Sequence, residues 1–354
     1  MKSKSKSKVL FILKRREDYN SEIHSNIGLS TGLYNSANFM NEMLKAHGIE
    51  SHLEVAIDNN CIDRLVRANN PTHVIIEALW VVPEKFVILS KLHPTVTWII
   101  RLHSEMPFMA GEGMAMDWIG EYSKFKNIVI GVNAPRMLSE TKKFLQHINS
   151  WDNTTADQRV IYLPNYYPQD YKTKKFNRNK EYIDIGCFGA IRPLKNHLLQ
   201  AHAALDFANQ LGKKLRFHVN AGRVEMNGSP VINNLKGFFQ HIQSRGHELV
   251  NHQWTPREKF LDLCGLMDIG LQCSFSETFN IVGADLISQG VPLVGSVEIP
   301  WKVESFAADP TNSLDITKKL MYAYKWPWLN VKTNQWSLTK YTSQTAETWD
   351  KYFN

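Results

Sequence analysis

Short runs of β-branched and aliphatic residues recur along this chain, most of them separated by polar or helically spaced stretches. KVLFIL (8–13), HLEVAI (52–57), THVIIEA (72–78), TVTWIIRLH (95–103), NIVIGVN (127–133) and RVIYLPN (159–165) predict one series of strands. YIDIGCFGA (182–190), KLRFHVNAG (214–222), MDIGLQCS (267–274) and VPLVGS (291–296) predict a second. Most runs are continuously apolar rather than alternating, as strands covered on both faces are. NSANFMNEMLKAHG (35–48), NHLLQAHAALDFANQLG (196–212) and TPREKFLDLCGLM (255–267) carry apolar positions at helical spacing. Alternating strand and helix predict an α/β fold of two facing Rossmann-like, doubly wound domains. Ligands then bind at the carboxyl ends of the strands.

The expected boundaries are residues 1–170 for the first domain, with 1–7 a basic tail, 171–181 for a linker, and 182–313 for the second domain. Residues 314–354 contain Trp326, Trp328, Trp336, Trp349 and Tyr352. They read as C-terminal helices packed by aromatic side chains and returning towards the first domain. A length of 354 residues fits two domains.

Composition adds little: 43% apolar, 21% charged and 11% aromatic is an ordinary globular balance. No apolar run approaches the roughly 18 residues of a membrane span, and VLFIL is shorter than a signal-peptide core. Membrane insertion is therefore not expected. Cys61, Cys187, Cys264 and Cys273 form no CxxC pair, so a reduced, cytoplasmic protein without structural zinc is expected.

Charge placement changes the picture more than the net +7 does. Residues 1–16 hold seven Lys/Arg and no acid, and residues 171–180 hold five and no acid. Between them, residues 17–170 carry 12 Lys/Arg against 18 Asp/Glu. The two basic stretches read either as a solvated tail and linker or as a contact for a polyanion such as nucleic acid.

Two segments carry candidate chemistry. In YIDIGCFGAIRPLKNHLLQA (182–201) a strand ends in a turn at Gly189, where the backbone can approach a ligand. Arg192 and Lys195 follow, and then a helix N-terminus with its partial positive charge. Together these suit a pyrophosphate. In CSFSETFNIVGADLISQGVPLVGS (273–296) Glu277 ends a strand segment and Asp285 lies eight positions on, before Gly290-Val-Pro and another strand. Carboxylates accept hydrogen bonds from vicinal hydroxyls, as sugars and ribose offer them. The backbone from Thr278 through Phe279 and Asn280 to Ile281 would add N–H groups at the helix start.

This string resembles the donor signature of retaining GT-B glycosyltransferases of the group 1 type, usually Glu-x7-Glu followed by a Gly-x-Pro strand. STGLYNSANFMNEMLKAHGIE (30–50), WIIRLHSE (98–105), IYLPNYYPQD (161–170) and the segment 249–277 resemble other family segments in the same order. Asp285 stands for the second Glu, Asn280 where Gly is usual, Thr31-Gly32 for a Gly pair, and Tyr166-Tyr167 for a small residue after Asn165.

The resemblance implies transfer of a sugar from a nucleotide-diphosphate donor such as UDP-glucose to a hydroxyl, with retention and without metal or other cofactor. Arg192 and Lys195 would neutralise the leaving diphosphate. Glu277 would hold donor-sugar hydroxyls and Asp285 the ribose. His103 would sit near the anomeric carbon, and Gly32 would let a first-domain loop approach the phosphate. His24, His197 and His202 have no such support. The leading acceptor is a hydroxymethylated pyrimidine in DNA, as in phage base-modifying enzymes of this broad fold, held through residues 1–16 and 172–180. The alternatives are a polysaccharide or lipid-linked glycan, a non-catalytic nucleotide or nucleic-acid binder on the same scaffold, and an epimerase or phosphorylase.

Overall fold

The computed structural model describes residues 7–15 and 31–354. The chain forms two compact units, Met1–Pro168 with Thr342–Asn354, and Gln169–Tyr341.

In the first unit, strands β1 (Lys8–Lys14), β2 (Glu50–Ala56), β3 (His73–Glu77), β4 (Thr97–Leu102), β5 (Ile128–Val132) and β6 (Val160–Tyr162) form a parallel sheet ordered β2-β1-β3-β4-β5-β6. Helices α1 (Thr31–Ala46), α2 (Cys61–Asn69), α3 (Lys85–Leu92), α4 (Met106–Met109), α5 (Ala115–Ser123), α6 (Pro135–Asn149) and α7 (Asn153–Arg159) connect the strands. β1 shows why its sequence is continuously apolar. Leu10 and Ile12 pack into one core with Val74 and Ile76, while Val9, Phe11 and Leu13 pack into another with Ile75 and Ile99. With apolar layers on both faces, neither side of the strand has a place for polar residues.

The second unit repeats the plan. Strands β7 (Tyr182–Gly186), β8 (Lys214–Val219), β9 (Glu248–Asn251), β10 (Ile269–Gln272), β11 (Leu293–Ser296) and β12 (Ala307–Ala308) form a parallel sheet ordered β12-β11-β10-β7-β8-β9. Its helices are α8 (His197–Gln210), α9 (Ser229–Ile242), α10 (Arg257–Leu266), α11 (Ile281–Ser288), α12 (Ser313–Lys325) and the first part of α13 (Pro327–Phe353). β9 and β12 escape the sequence reading. One is four residues with polar ends, the other two alanines, and both are edge strands whose hydrophobic signal is weak.

The strand order reverses between β7 and β10, so the loops leaving these two strands open on opposite sides of the sheet. Such a switch point is where doubly wound sheets bind ligands.

The basic linker lies against α11. The Lys172 N–H donates to the Ser288 carbonyl at 2.6 Å. Gly290 closes this approach: its φ is +73°, and a Cβ there would meet the Lys172 carbonyl oxygen at 2.8 Å. The Gly of the Gly-Val-Pro stretch is thus required twice over, by backbone conformation and by close packing.

The C-terminal aromatics divide. In the first unit Trp349 is buried, stacks on Phe11 at 5.9 Å, and donates its ring N–H to the Pro164 carbonyl at 2.9 Å. Trp326, Trp328 and Trp336 are instead 49%, 68% and 65% exposed, against the expectation of aromatic packing. The inward positions of α13 near them are held by Asn330, Val331, Asn334, Gln335 and Leu338, and the helical repeat turns the tryptophans outward.

Candidate active site

The loops after β7 and β10 carry most of the residues singled out in the sequence, and they are stitched together. The Phe275 N–H donates to the Leu194 carbonyl at 2.9 Å. The Asn196 amide donates to the carbonyls of Cys273 and Pro310 at 3.1 and 2.7 Å. Gln200 bridges the same loops, donating to the Lys195 carbonyl and accepting from the Cys273 N–H, each at 2.7 Å. Asn196 holds a left-handed φ of 58° between a 3-10 turn and α8. Asn reaches that region more readily than other side-chain-bearing residues.

Lys195 points into this junction and is ion-paired with the Glu277 carboxylate. The same oxygen, Oε1, accepts from the Asn280 amide at 3.0 Å, and that amide also donates to Gln272 Oε1 at 3.2 Å. Asn280 has φ 60°, and its own oxygen accepts from the Gly283 N–H at 2.7 Å, capping α11. This accounts for Asn where the resembled signature has Gly: the backbone is left-handed, and the amide both caps the helix and orients Glu277. Burial lowers the pKa of the Lys195 ammonium, the Glu277 carboxylate opposes that, and the Arg192 charge adds to the lowering.

Gly189 has φ +116° with nothing within 4 Å of a built Cβ, and its N–H donates to Asn220 Oδ1 at 3.3 Å. Arg192 is ion-paired with Glu225 at 3.4 Å. Thr278 and Ile281 are half-buried. The Phe279 side chain is core, packed on Trp301 and Tyr341, and its carbonyl accepts from the Trp301 ring N–H at 2.6 Å. Phe279 therefore offers a ligand only its backbone.

Asp285 is buried on α11 and ion-paired at 2.8 Å with Arg257, at the start of α10. Sequence reasoning passed over Arg257. It lies 28 positions before its partner, and no local spacing marks the contact.

His103 lies in the first unit, in a second polar cluster. Its Nε2 is bonded to Glu77, and the Asn133 amide lies 3.3 Å from its Nδ1. Glu77 is fully buried and also takes Arg101 Nη1 at 3.1 and 3.2 Å. Arg101 donates further to the Leu163 and Pro164 carbonyls and to Asn165 Oδ1. Burial lowers the pKa of His103, and the Glu77 charge opposes it. Burial would raise that of Glu77, but Arg101 and His103 outweigh it and hold the carboxyl below its ordinary range. Gly32 lies in the first turn of α1. Of the unassigned histidines, His197 is buried beside the cluster, His202 is exposed, and His24 lies outside the described residues. Among the described residues no three His, Cys, Asp or Glu side chains gather as a metal-binding set.

The arrangement places a cation, an oriented carboxylate and a helix N-terminus at one switch point. That combination has the chemistry to receive an anionic group next to hydroxyls.

No protein-family model matches the sequence, and no curated protein matches it. Solved structures do match in fold. The N-terminal domain of Candida albicans trehalose-6-phosphate phosphatase superposes with a TM-score of 0.70 at 11% identity, covering 98% of this chain and 97% of that one. Sucrose-phosphate synthase from Thermosynechococcus elongatus gives 0.67 at 9% identity, covering 98% of each. Anabaena HepE in complex with UDP and glucose gives 0.60 at 12% identity, covering 98% and 100%. The chain thus has the fold of the GT-B class, built of two Rossmann-like units.

Proposed function

We propose that this protein is a glycosyltransferase that moves a hexose from a UDP-sugar to a hydroxyl acceptor, with retention and without a metal. The observation that carries this is the Lys195–Glu277–Asn280 constellation at the β7/β10 switch point. Lys195 and Arg192 would take the diphosphate, Glu277 the sugar hydroxyls and Asp285 the ribose. The HepE structure, which holds UDP and glucose, supports a UDP-sugar as donor. Lys195 stabilises the charge that grows on the diphosphate as the sugar–phosphate bond breaks.

Two acceptor readings each have an observation behind them. The hydroxymethyl group of a modified pyrimidine in DNA is favoured by the basic start of the chain. A polysaccharide or lipid-linked glycan is favoured by the linker. There Lys174 donates to the Gly265 and Met267 carbonyls, Lys180 pairs with Asp268, and Arg178 donates to the Tyr324 and Lys325 carbonyls. Three of its five cations therefore already have partners within the second unit.

The test is a transfer assay with labelled UDP-glucose, with UDP binding followed by calorimetry. The acceptors are duplex DNA containing 5-hydroxymethylcytosine or 5-hydroxymethyluracil, unmodified DNA as control, and a panel of glycans. Hexose on the modified base selects the first reading, and hexose on a glycan the second. The absence of both transfer and UDP binding refutes the donor assignment.

A further inference from the structure

One face of the second unit is used neither by the donor cluster nor by the core. α12 gives way to α13 through KWPW, residues 325–328. Trp326, Trp328 and Trp336 are 49%, 68% and 65% exposed, where an indole normally buries most of its large apolar area. Along α13, Trp328, Lys332, Trp336 and Lys340 follow at four-residue steps, and all are exposed. Such steps make one ridge of the helix surface. Trp326, just past the end of α12, is exposed next to the start of this ridge. The Lys340 ammonium lies 5.6 Å from the centre of the Trp336 ring, and Lys325 stands at the same distance from Trp326.

The face is basic. Residues 325–341 hold three lysines and no acid. The linker brings the exposed Lys172 and Lys175 alongside, and Arg178 ties it to the end of α12. Its Tyr171 hydroxyl lies 3.0 Å from Thr339 Oγ1, and Arg178 donates to the Tyr324 carbonyl at 2.9 Å. Of the acids on the neighbouring elements, Asp170 and Glu304 are exposed and two others are engaged. Asp268 pairs with Lys180 at 2.8 Å, and Asp315 accepts from the Asp309 N–H at 2.9 Å.

We propose that this face docks the protein on the surface of an anionic lipid bilayer. Indoles settle at headgroup level, with the apolar body towards the acyl chains. Lysine stems lie along apolar surface while their ammonium groups reach phosphates. A helix with tryptophan and lysine on one side and a packed core on the other lies in the interface plane. A nucleic-acid strand fits less well. Trp328 and Trp336 are eight residues apart, about 12 Å along the helix, too far for successive bases spaced about 3.4 Å. Strand binding also needs a groove that tracks the backbone, whereas a helical ridge is convex. A second copy of the chain would set lysine against lysine. The proposal stands on this surface alone and does not depend on the donor assignment.

The full chain is sedimented with vesicles of equal parts phosphatidylcholine and phosphatidylglycerol, and with phosphatidylcholine vesicles alone. The expected result is salt-sensitive binding to the anionic vesicles only, with a blue shift of tryptophan emission. Each lysine near an anionic surface counts for about fivefold in affinity, so Lys332→Glu with Lys340→Glu should weaken binding well over tenfold. Trp328→Ser with Trp336→Ser should weaken it by about tenfold or more. Both double variants should keep the wild-type UDP affinity and unfolding midpoint, which separates loss of docking from failure of the donor site. Absence of vesicle binding by the wild type overturns the proposal, as does unchanged binding by both variants. So does binding to oligonucleotides in preference to vesicles that the same variants abolish.

Discussion

Glu277 receives the Lys195 ammonium and the Asn280 amide on one carboxylate oxygen. A cation from the β7 loop and a helix cap from the β10 loop thus fix a single acceptor group. Its position is set by groups 82 residues before it and three after it.

Removing either partner should separate chemistry from binding. Glu277→Ala is expected to keep the fold and lower the transfer rate by about 10²-fold or more. Lys195→Ala should weaken UDP binding by about tenfold, the order of one lost charge-assisted hydrogen bond. Steady-state transfer and UDP calorimetry check the pair, and full activity in Glu277→Ala would refute the assignment.

Asn280 offers a sharper structural test because two reasons for it can be told apart. Asn280→Gly keeps the left-handed backbone and loses only the side-chain bonds. Asn280→Ala loses those bonds and also carries a Cβ at φ 60°. Alanine should therefore be the more destabilising by about 1 kcal/mol. Urea unfolding midpoints of the two variants measure the difference, and equal midpoints would remove the backbone argument.

The Arg257–Asp285 pair predicts a change in stability as well as in ligand binding. Arg257→Ala strands a buried carboxylate. Fully buried pairs cost about 3–5 kcal/mol when broken this way. Arg257 is part-exposed, so about 2 kcal/mol is expected after allowance for solvent screening. Arg257→Ala combined with Asp285→Asn should recover part of that loss. Denaturant melts of the single and double variants close the cycle.

Two buried groups contribute to the acid behaviour of the second unit, beside His247 and His252, which burial also lowers. Burial, reinforced by Lys195 and Arg192, pushes the His197 imidazole down from 6.5 to about 3. A histidine lowered in this way stabilises the fold fully above its unfolded pKa and loses that contribution as pH falls from 6.5 towards 3. His197→Gln should flatten this slope by about 1.4 kcal/mol per pH unit. For Asp184, burial alone would raise the carboxyl, but the His218 hydrogen bond and the Arg216 and Lys180 charges hold it at about 2. Its contribution is present above the ordinary 3.8 and is lost as pH falls towards 2, so Asp184→Asn should flatten only that lower window. Urea melts in steps from pH 7 downwards resolve the two, and a His197→Gln slope equal to wild type would refute the first.

The alternation of elements is legible in local pattern. A strand covered on both faces is apolar along its interior, as β1 is between its terminal lysines and β5 is throughout, and that signal is local. The loops bearing Gly189, Arg192, Lys195 and Glu277 could be marked for the same reason: their chemistry lies within a few residues of a strand end. Strands β9 and β12 were not readable, because short edge strands bury too little to leave a pattern. The packed fold alone settles which distant side chains meet. It set Arg257 on Asp285, Glu77 between Arg101 and His103, and Asn280 in the left-handed region where it caps α11 and holds Glu277. It also turned Trp328 and Trp336 to solvent, although composition alone would have buried them. Local pattern fixes which face of an element is apolar. Sheet order and helix rotation decide which polar groups must find one another when water is excluded.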